Sequence, residues 1–360
     1  MLCCMKQVCV VLLLLLLFVA CDEVVKEEVS VVVDGLDNPW AISFVSDELL
    51  LVSERSGSMK LINLSDNSTH TISGVPEVAV VGQGGLLDVE VDAEKVFFSY
   101  SASGEGGYAT HVALATLNLT SFSLDNVEVL FVFEPFLSGG SHFGSRVLVV
   151  DEYVFVSSGD RGRKDFSSDH LSQNVSNAIG SVIRLHKNGS TVSSNPFVGS
   201  DEGVDEIFSY GHRNIQGLAY HQGSDTLWAS EHGERDGDAI HQLVVGGNYG
   251  WPVAHTGCRY ATPIPVGDLP SERDDVVDPV FVWPCGSGGF PPSGMVFVGD
   301  ELFVGGLANQ EIARFVLEDN LLRQKDSLLS SYGWRVRDVD WRGEFLYAVV
   351  DDGLLVRVVV

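Results

Sequence analysis

The stretch SYGHRNIQGLAY (residues 209–220) sets His212, Arg213 and Asn214 side by side between apolar neighbours. An imidazole takes up a proton near pH 7, a guanidinium stabilises developing negative charge, and an amide both donates and accepts. Similar residues recur in short glycine-bearing stretches: Gln83 in GQGG, His142 in GSHFGSR, and Arg335 and Arg337 in GWRVR. The two arginines alternate, so on a strand both point the same way. Two acidic, glycine-rich loops, SSGDRGR (157–163) and SEHGERDGD (230–238), offer the carbonyls and carboxylates that a hard cation such as Ca2+ takes. Each of these alone reads equally well as a polar loop between strands. Only a fold that brings them together makes a site.

Such a fold is legible in an internal repeat. Six segments align, beginning at Trp40, Gly85, Ser145, Gly217, Gly294 and Val336. Each is a short apolar strand, a tight turn rich in Asp, Glu or Gly, and a second apolar strand. Third strands follow in MKLINL, HVALATLNL, GSVIRLHKNG, AIHQLV, IARFVL and LLVRVVV. No helical period is sustained anywhere. Repeated three- or four-stranded meanders predict an all-β chain, a six-bladed β-propeller, because one blade cannot bury both of its faces alone. The stretches NPW, GQGG, GSHFGSR, GHRNIQG, PPSG and GWRVR fall at one phase, at the entry to the first strand of a copy, and the two acidic loops follow the second strand. One phase of the repeat maps to one face, so Gln83, His142, Arg213, Asn214, Arg335 and Arg337 are expected to converge at one end of the central channel. His212, Arg213 and Asn214 would then be one blade's contribution to a composite site.

The net charge of −27 sets the chain against nucleic acid phosphates and anionic lipid headgroups. Its N-terminus carries Lys6 and an apolar run from Val8 to Ala20, ending FVAC. The run has the length of a signal peptide's apolar core and is short for a membrane span. It resembles a bacterial lipoprotein signal, with residues 1–20 removed, Cys21 lipidated as a peripheral membrane anchor, and 22–360 forming the propeller on the periplasmic side; ordinary cleavage or an uncleaved anchor is the alternative. Cys3, Cys4 and Cys9 would leave with the signal, so Cys258 and Cys285 remain as an even pair open to a disulfide. The Asn-x-Ser/Thr sites at Asn63, Asn67, Asn118, Asn174 and Asn188 matter only in a eukaryotic host.

Taken in order, GLDNPWAI, GQGGLLDV, GSHFGSRVLV, SYGHRNIQGLAY, SEHGERDGD, GGNYGWP and RVRDV resemble the soluble pyrroloquinoline quinone (PQQ)-dependent glucose/sorbosone and aldose sugar dehydrogenases over nearly the whole mature chain. The resemblance implies a six-bladed propeller that oxidises an aldose at C1 to the lactone and passes electrons to an acceptor, a quinone or a cytochrome. It implies PQQ and Ca2+ as cofactors. By position, His142 is the general base and Arg213 with Asn214 the quinone-facing pair. Gln83 contacts substrate and cofactor, and Arg335 and Arg337 hold cofactor carboxylates. Apart from the resemblance, Trp40, Trp251 and Trp283 read as core or wall residues, with Trp283 also a candidate to stack on the cofactor plane. The carbonyls of Gly233 and Glu234 match those that bind Ca2+, and Tyr249 remains from a further calcium site.

The departures from the family pattern are specific. Glu234 stands where proline is usual, Ala239 follows Asp238 where the family has Glu, and Ala308 falls where a cofactor-binding lysine often lies. Ser141 precedes His142 in place of the glucose-specific branch's Asp, which favours broader aldose use. A non-catalytic propeller binding carbohydrate or a protein partner after cofactor loss is the competing reading, which Ala239 and Ala308 would allow. Retention of His142, Arg213, Arg335 and Arg337 together favours the enzyme.

Overall fold

The computed structural model of the protein describes residues 28–260 and 262–360; the FVAC segment and Cys21 lie outside the described residues. Six four-stranded antiparallel sheets are arranged as blades, with a separate two-stranded sheet. Blade 1 comprises Pro39–Phe44, Leu49–Glu54, Ser58–Asn63 and Thr69–Ile72, and blade 2 Leu86–Asp92, Lys95–Gly104, Gly107–Asn118 and Ser123–Val132. Blade 3 comprises Val147–Val150, Tyr153–Ser157, Val182–His186 and Ile207–Ser209; blade 4 comprises Ile215–His221, Thr226–Glu231, Asp238–Leu243 and Phe281–Trp283. Blade 5 comprises Pro292–Val298, Glu301–Gly306, Ile312–Glu318 and Leu321–Leu328, and blade 6 Val336–Arg342, Phe345–Val350 and Leu354–Val359. Among the described residues there is no α-helix.

The first strands of the six blades lie against one another in a closed ring. The fold is thus the expected six-bladed propeller, and the six first strands are the ones the repeat marked. The repeat did not reveal how the ring closes. Val29–Val33 pairs with Leu354–Val359 as the outermost strand of blade 6, so strands from both ends of the chain complete one sheet. This protects an edge that would otherwise be open for pairing.

Each blade has apolar residues on both faces, which explains runs such as LLLV in place of strict alternation. In blade 1, Leu51 packs with Leu86 and Phe98 of blade 2, while Leu50 and Val52 on the other face pack with Tyr347 and Val349 of blade 6. Such a cluster fills each of the six blade interfaces.

Serines near the end of the second strands set the geometry of the channel mouth. The register shifts between Pro39 and Ala41 and between Leu86 and Val89, as at a β-bulge. The N–H freed there donates to a hydroxyl: Ala41 to Ser53 Oγ at 3.1 Å and Asp88 to Ser99 Oγ at 3.0 Å. Each hydroxyl then donates to the next blade, Ser53 to the Leu87 carbonyl at 2.5 Å and Ser99 to the Ser145 carbonyl at 2.6 Å. Blade-to-blade spacing at the polar end is therefore fixed by hydrogen bonds as well as by packing.

An excursion between the third and fourth strands of blade 4 carries the hairpin Ala254–Cys258 and Pro265–Gly267. The disulfide Cys258–Cys285, Cα atoms 5.6 Å apart, ties it back beside the outer strand, as the even cysteine pair allowed.

Candidate active site

His142 sits in the loop entering blade 3 with φ +49, a conformation an L-residue holds only when its surroundings enforce it. Several bonds do so. Its backbone N–H donates to Gln83 Oε1 at 2.7 Å, and its carbonyl accepts from the Arg161 N–H at 3.3 Å. Two residues on, Gly144 has φ +63, and a Cβ there would lie 2.6 Å from the Gly159 nitrogen. Arg161 clasps the same loop, donating to the carbonyls of Ser141, Gly139 and Tyr108 at 3.1, 2.9 and 2.7 Å, with its guanidinium over Phe143.

The imidazole is held through one nitrogen. Nδ1 lies 2.6 Å from Asp160 Oδ1. Asp160 also accepts from Gly162 N at 2.7 Å and from Trp251 Nε1 at 2.8 Å. Burial alone would push its carboxyl up; the hydrogen bond and charge of His142, with the charge of Arg213, hold it below the usual range. An ionised Asp160 fixes the proton on Nδ1 and leaves Nε2 as the free lone pair. The SSGDRGR loop, expected as a cation-binding turn, thus serves as the support of His142. Neither Asp160 nor Arg161 was singled out from sequence. The only signal was their place in that loop, and an Asp-Arg in a glycine-rich turn is ordinary.

Arg213 is buried, donating Nη2 to Glu234 Oε2 at 2.8 Å and packing over Trp251. Its carbonyl accepts from the Asp160 N–H at 2.7 Å, which brings the blade 4 stretch against the His142 support. Asn214 accepts from Gly144 N at 3.2 Å through Oδ1. His212, beside them, turns inward to Glu231 and Ser209.

At the channel mouth lies a cavity of about 310 Å³ whose polar lining includes Gln83, Asn214, His232, Arg335, Arg337 and Asp351. Residues 143–145, next to His142, form part of its wall. Arg335 Nε and Arg337 Nε and Nη2 converge on the Asp351 carboxylate at 2.9–3.0 Å. His232 donates Nε2 to the Pro292 carbonyl. Burial drives His232 down to about 3 against that bond, helped by the charges of Arg213, His142 and Arg337, so it presents a neutral ring. Gln83, Asn214, Arg335 and Arg337 thus share one cavity, as the repeat phase predicted, while His142 and Arg213 are not in its lining.

Arg146 follows the lining residue Ser145 in the stretch that carries His142. Its Nη1 meets Asp88 at 3.0 Å and Asp338 at 2.9 Å. Nε donates to the Gln216 carbonyl at 2.5 Å, Nη2 to the Arg337 carbonyl at 3.0 Å, and the guanidinium lies over Trp40. One side chain thereby joins blades 1, 2, 4 and 6 to blade 3 and sets the strand that carries Arg337.

The sequence pattern described as Glucose / Sorbosone dehydrogenase matches residues 36–357. The chain belongs to that family. Aldose sugar dehydrogenase YliI of Escherichia coli K12 is 31% identical over 345 residues, 90% of this chain and 90% of its own. Quinoprotein glucose dehydrogenase B of Acinetobacter calcoaceticus is 29% identical over 252 residues, 62% of this chain and 52% of its own. The crystal structure of the soluble aldose sugar dehydrogenase from E. coli in the apo-form superposes with a TM-score of 0.85 at 30% identity, covering 92% of this chain and 99% of that one.

Trp283 and Tyr249 are engaged away from the cavity, and the Glu234 side chain has a role of its own. Trp283 does not line the cavity. It stacks on Phe290 at 4.6 Å and packs with Phe281 and Phe315, because the edge strand that carries it pairs against Asp238–Ile240 away from the channel. The Tyr249 hydroxyl is engaged by its own blade, donating to the Gln242 carbonyl at 2.7 Å and accepting from Val244 N at 2.9 Å. The Glu234 side chain has a role that proline lacks: buried, it bridges Arg213 and Lys164, whose Nζ lies 2.6 Å from both carboxylate oxygens.

The calcium expectation for Gly233 and Glu234 can be tested against their donors. Both residues are buried, and neither carbonyl oxygen accepts a hydrogen bond within the described residues. Asp238 braces the loop, accepting from Gly233 N and Phe290 N at 2.8 Å each. Buried carbonyls without partners are the ligands a hard cation takes. Among the described residues no cluster of three His, Cys, Asp or Glu side chains is placed to hold a metal, so a cation here would rest on backbone oxygens and on ligand atoms.

Proposed function

We propose that the protein oxidises aldoses at C1 to the lactone, using PQQ with Ca2+ beside it. The observation that carries this reading is the 2.6 Å Asp160–His142 pair at the edge of a cavity rich in guanidinium groups. Its residues fit a flat polycarboxylate: Arg335 and Arg337 would hold carboxylates by forked bonds, and Asn214 would donate through its amide. The free carbonyls of Gly233 and Glu234 would hold Ca2+. When bound, PQQ would supply the two-electron acceptor for the hydrogen leaving C1. The quinoprotein named among the relatives lends support to that choice.

The chain's own residues do the rest. His142 Nε2 takes the proton of the anomeric hydroxyl, and Asp160 stabilises the imidazolium that results. Gln83 fixes the loop through its bond to His142 N and keeps its amide donors for substrate. Arg213 places buried positive charge where negative charge grows. Reconstituting the purified protein with PQQ and Ca2+, then assaying aldoses with an artificial dye acceptor, tests the reading. Aldose-dependent dye reduction that requires both additions is expected. Absence of both PQQ binding and aldose oxidation would leave the channel mouth as a ligand-recognition surface.

A further inference from the structure

The carboxylates of PQQ outnumber the two arginines read from the sequence, and Ala308, exposed beside the cavity residue Leu307, provides no third cation. A different residue stands in the cavity wall. Arg55, at the end of the second strand of blade 1, lines it together with Arg335 and Arg337.

Its placement is built, not incidental. The Arg55 backbone N–H donates to the Asn38 carbonyl at 3.0 Å, and its own carbonyl accepts from Leu86 N at 3.2 Å. A Cβ at Gly85, where φ is +149, would lie 2.0 Å from that carbonyl oxygen, so glycine permits the close approach of the GQGG loop. Nη1 donates to the Gly82 carbonyl at 2.7 Å. Nε and Nη2 have no partner within the described residues, and no carboxylate lies within ion-pair distance of the guanidinium. In a chain of net charge −27, an arginine left without a carboxylate beside two others is a strong preference for an anion. Three guanidiniums face one carboxylate, Asp351, so the lining is positive overall.

We propose that Arg55 is a cofactor-anchoring residue that completes a three-arginine cradle for the carboxylates of PQQ and takes over the task of the lysine absent at Ala308. This rests on the PQQ reading above, and the test separates the two. Apo protein in Ca2+ is titrated with PQQ by absorbance at several NaCl concentrations, with thermal unfolding as a control. Wild type, Arg55→Gln, Ala308→Lys and the double variant are compared. Arg55→Gln is expected to weaken binding by roughly 10- to 100-fold, the scale of one charge-assisted forked contact, and to flatten the salt dependence. Ala308→Lys should tighten binding in the wild type and recover most of the loss in the double variant. Wild-type binding with Arg55→Gln equally tight and equally salt-dependent would overturn the assignment of Arg55 alone. A loss that Ala308→Lys does not relieve, with the salt slope unchanged, would also overturn it and reduce Arg55 to an anchor of the Gly82 loop. Wild-type protein that binds no PQQ would bring down the cofactor reading and this inference with it.

Discussion

Replacing Asp160 by Asn removes one charge and one acceptor from the support of His142. The side chain has three donors to satisfy: His142 Nδ1 and Gly162 N at Oδ1, and Trp251 Nε1 at Oδ2. An amide has a single acceptor oxygen. With that oxygen at the Oδ1 position, His142 keeps its tautomer, but an NH2 group meets Trp251 Nε1. With the amide reversed, the NH2 meets Gly162 N and favours the wrong tautomer of His142. The first arrangement satisfies two donors and the second only one, so the first should dominate. The catalytic loss is then the charged hydrogen bond, about 1.5–3 kcal/mol, or roughly 10- to 150-fold in turnover. If the amide reversed, the base would be lost and the fall would approach about 10⁴-fold. The buried Trp251 donor left unpaired should cost a further ~1–3 kcal/mol of stability. Steady-state assay with PQQ, Ca2+ and a dye acceptor should therefore show kcat down about 100-fold, with KM and PQQ affinity nearly unchanged. Retention of more than half the wild-type turnover by folded, PQQ-loaded Asp160→Asn would refute the role given to the pair.

The Arg335→Ala/Arg337→Ala double variant should lose PQQ affinity and regain activity when cofactor is added in excess, measured by titration and assay on one preparation; an unchanged affinity would contradict the cradle. Arg146→Ala leaves Asp88 and Asp338 buried without their partner and should cost about 3–5 kcal/mol by urea unfolding at pH 7, less at pH 5 where these carboxyls can protonate; a cost under about 1 kcal/mol would show that the hub contributes little. Burial pushes Asp340 up to about 7 from an ordinary 3.8, so the stability tied to its protonated form is full below about pH 4 and fades as pH rises through about 7. Asp340→Asn should accordingly unfold at a higher temperature than wild type at pH 8 and show a smaller gap at pH 5; the opposite trend would reverse the sign of the burial effect. Export with lipidation predicts a mature N-terminus at Cys21 carrying lipid mass and partitioning into detergent, both lost in Cys21→Ser; identical behaviour of the two proteins would leave plain secretion.

The architecture was legible in the sequence because it is written locally and repeatedly. Each blade needs two apolar faces and tight turns, so six copies of strand, turn and strand recur in register, and the polar stretches fall at one phase of the copy. That phase alone was enough to place Gln83, Asn214, Arg335 and Arg337 on one cavity. What the repeat could not show is which side chain finds which partner across the ring. Asp160 meets His142 over 18 residues, Arg146 reaches the Arg337 carbonyl over 191, and Val29–Val33 closes a sheet with strands from the other end of the chain. Arg55 is an ordinary arginine after a strand until the folded ring sets it in one cavity wall with Arg335 and Arg337. Trp283 shows the converse: its type suited a stacking role, but its edge strand buries it among phenylalanines. Local sequence encodes strand, turn and phase, since these depend on near neighbours. Pairing of charges in the channel depends on the closed ring of six first strands, and that ring exists only once the whole chain has folded.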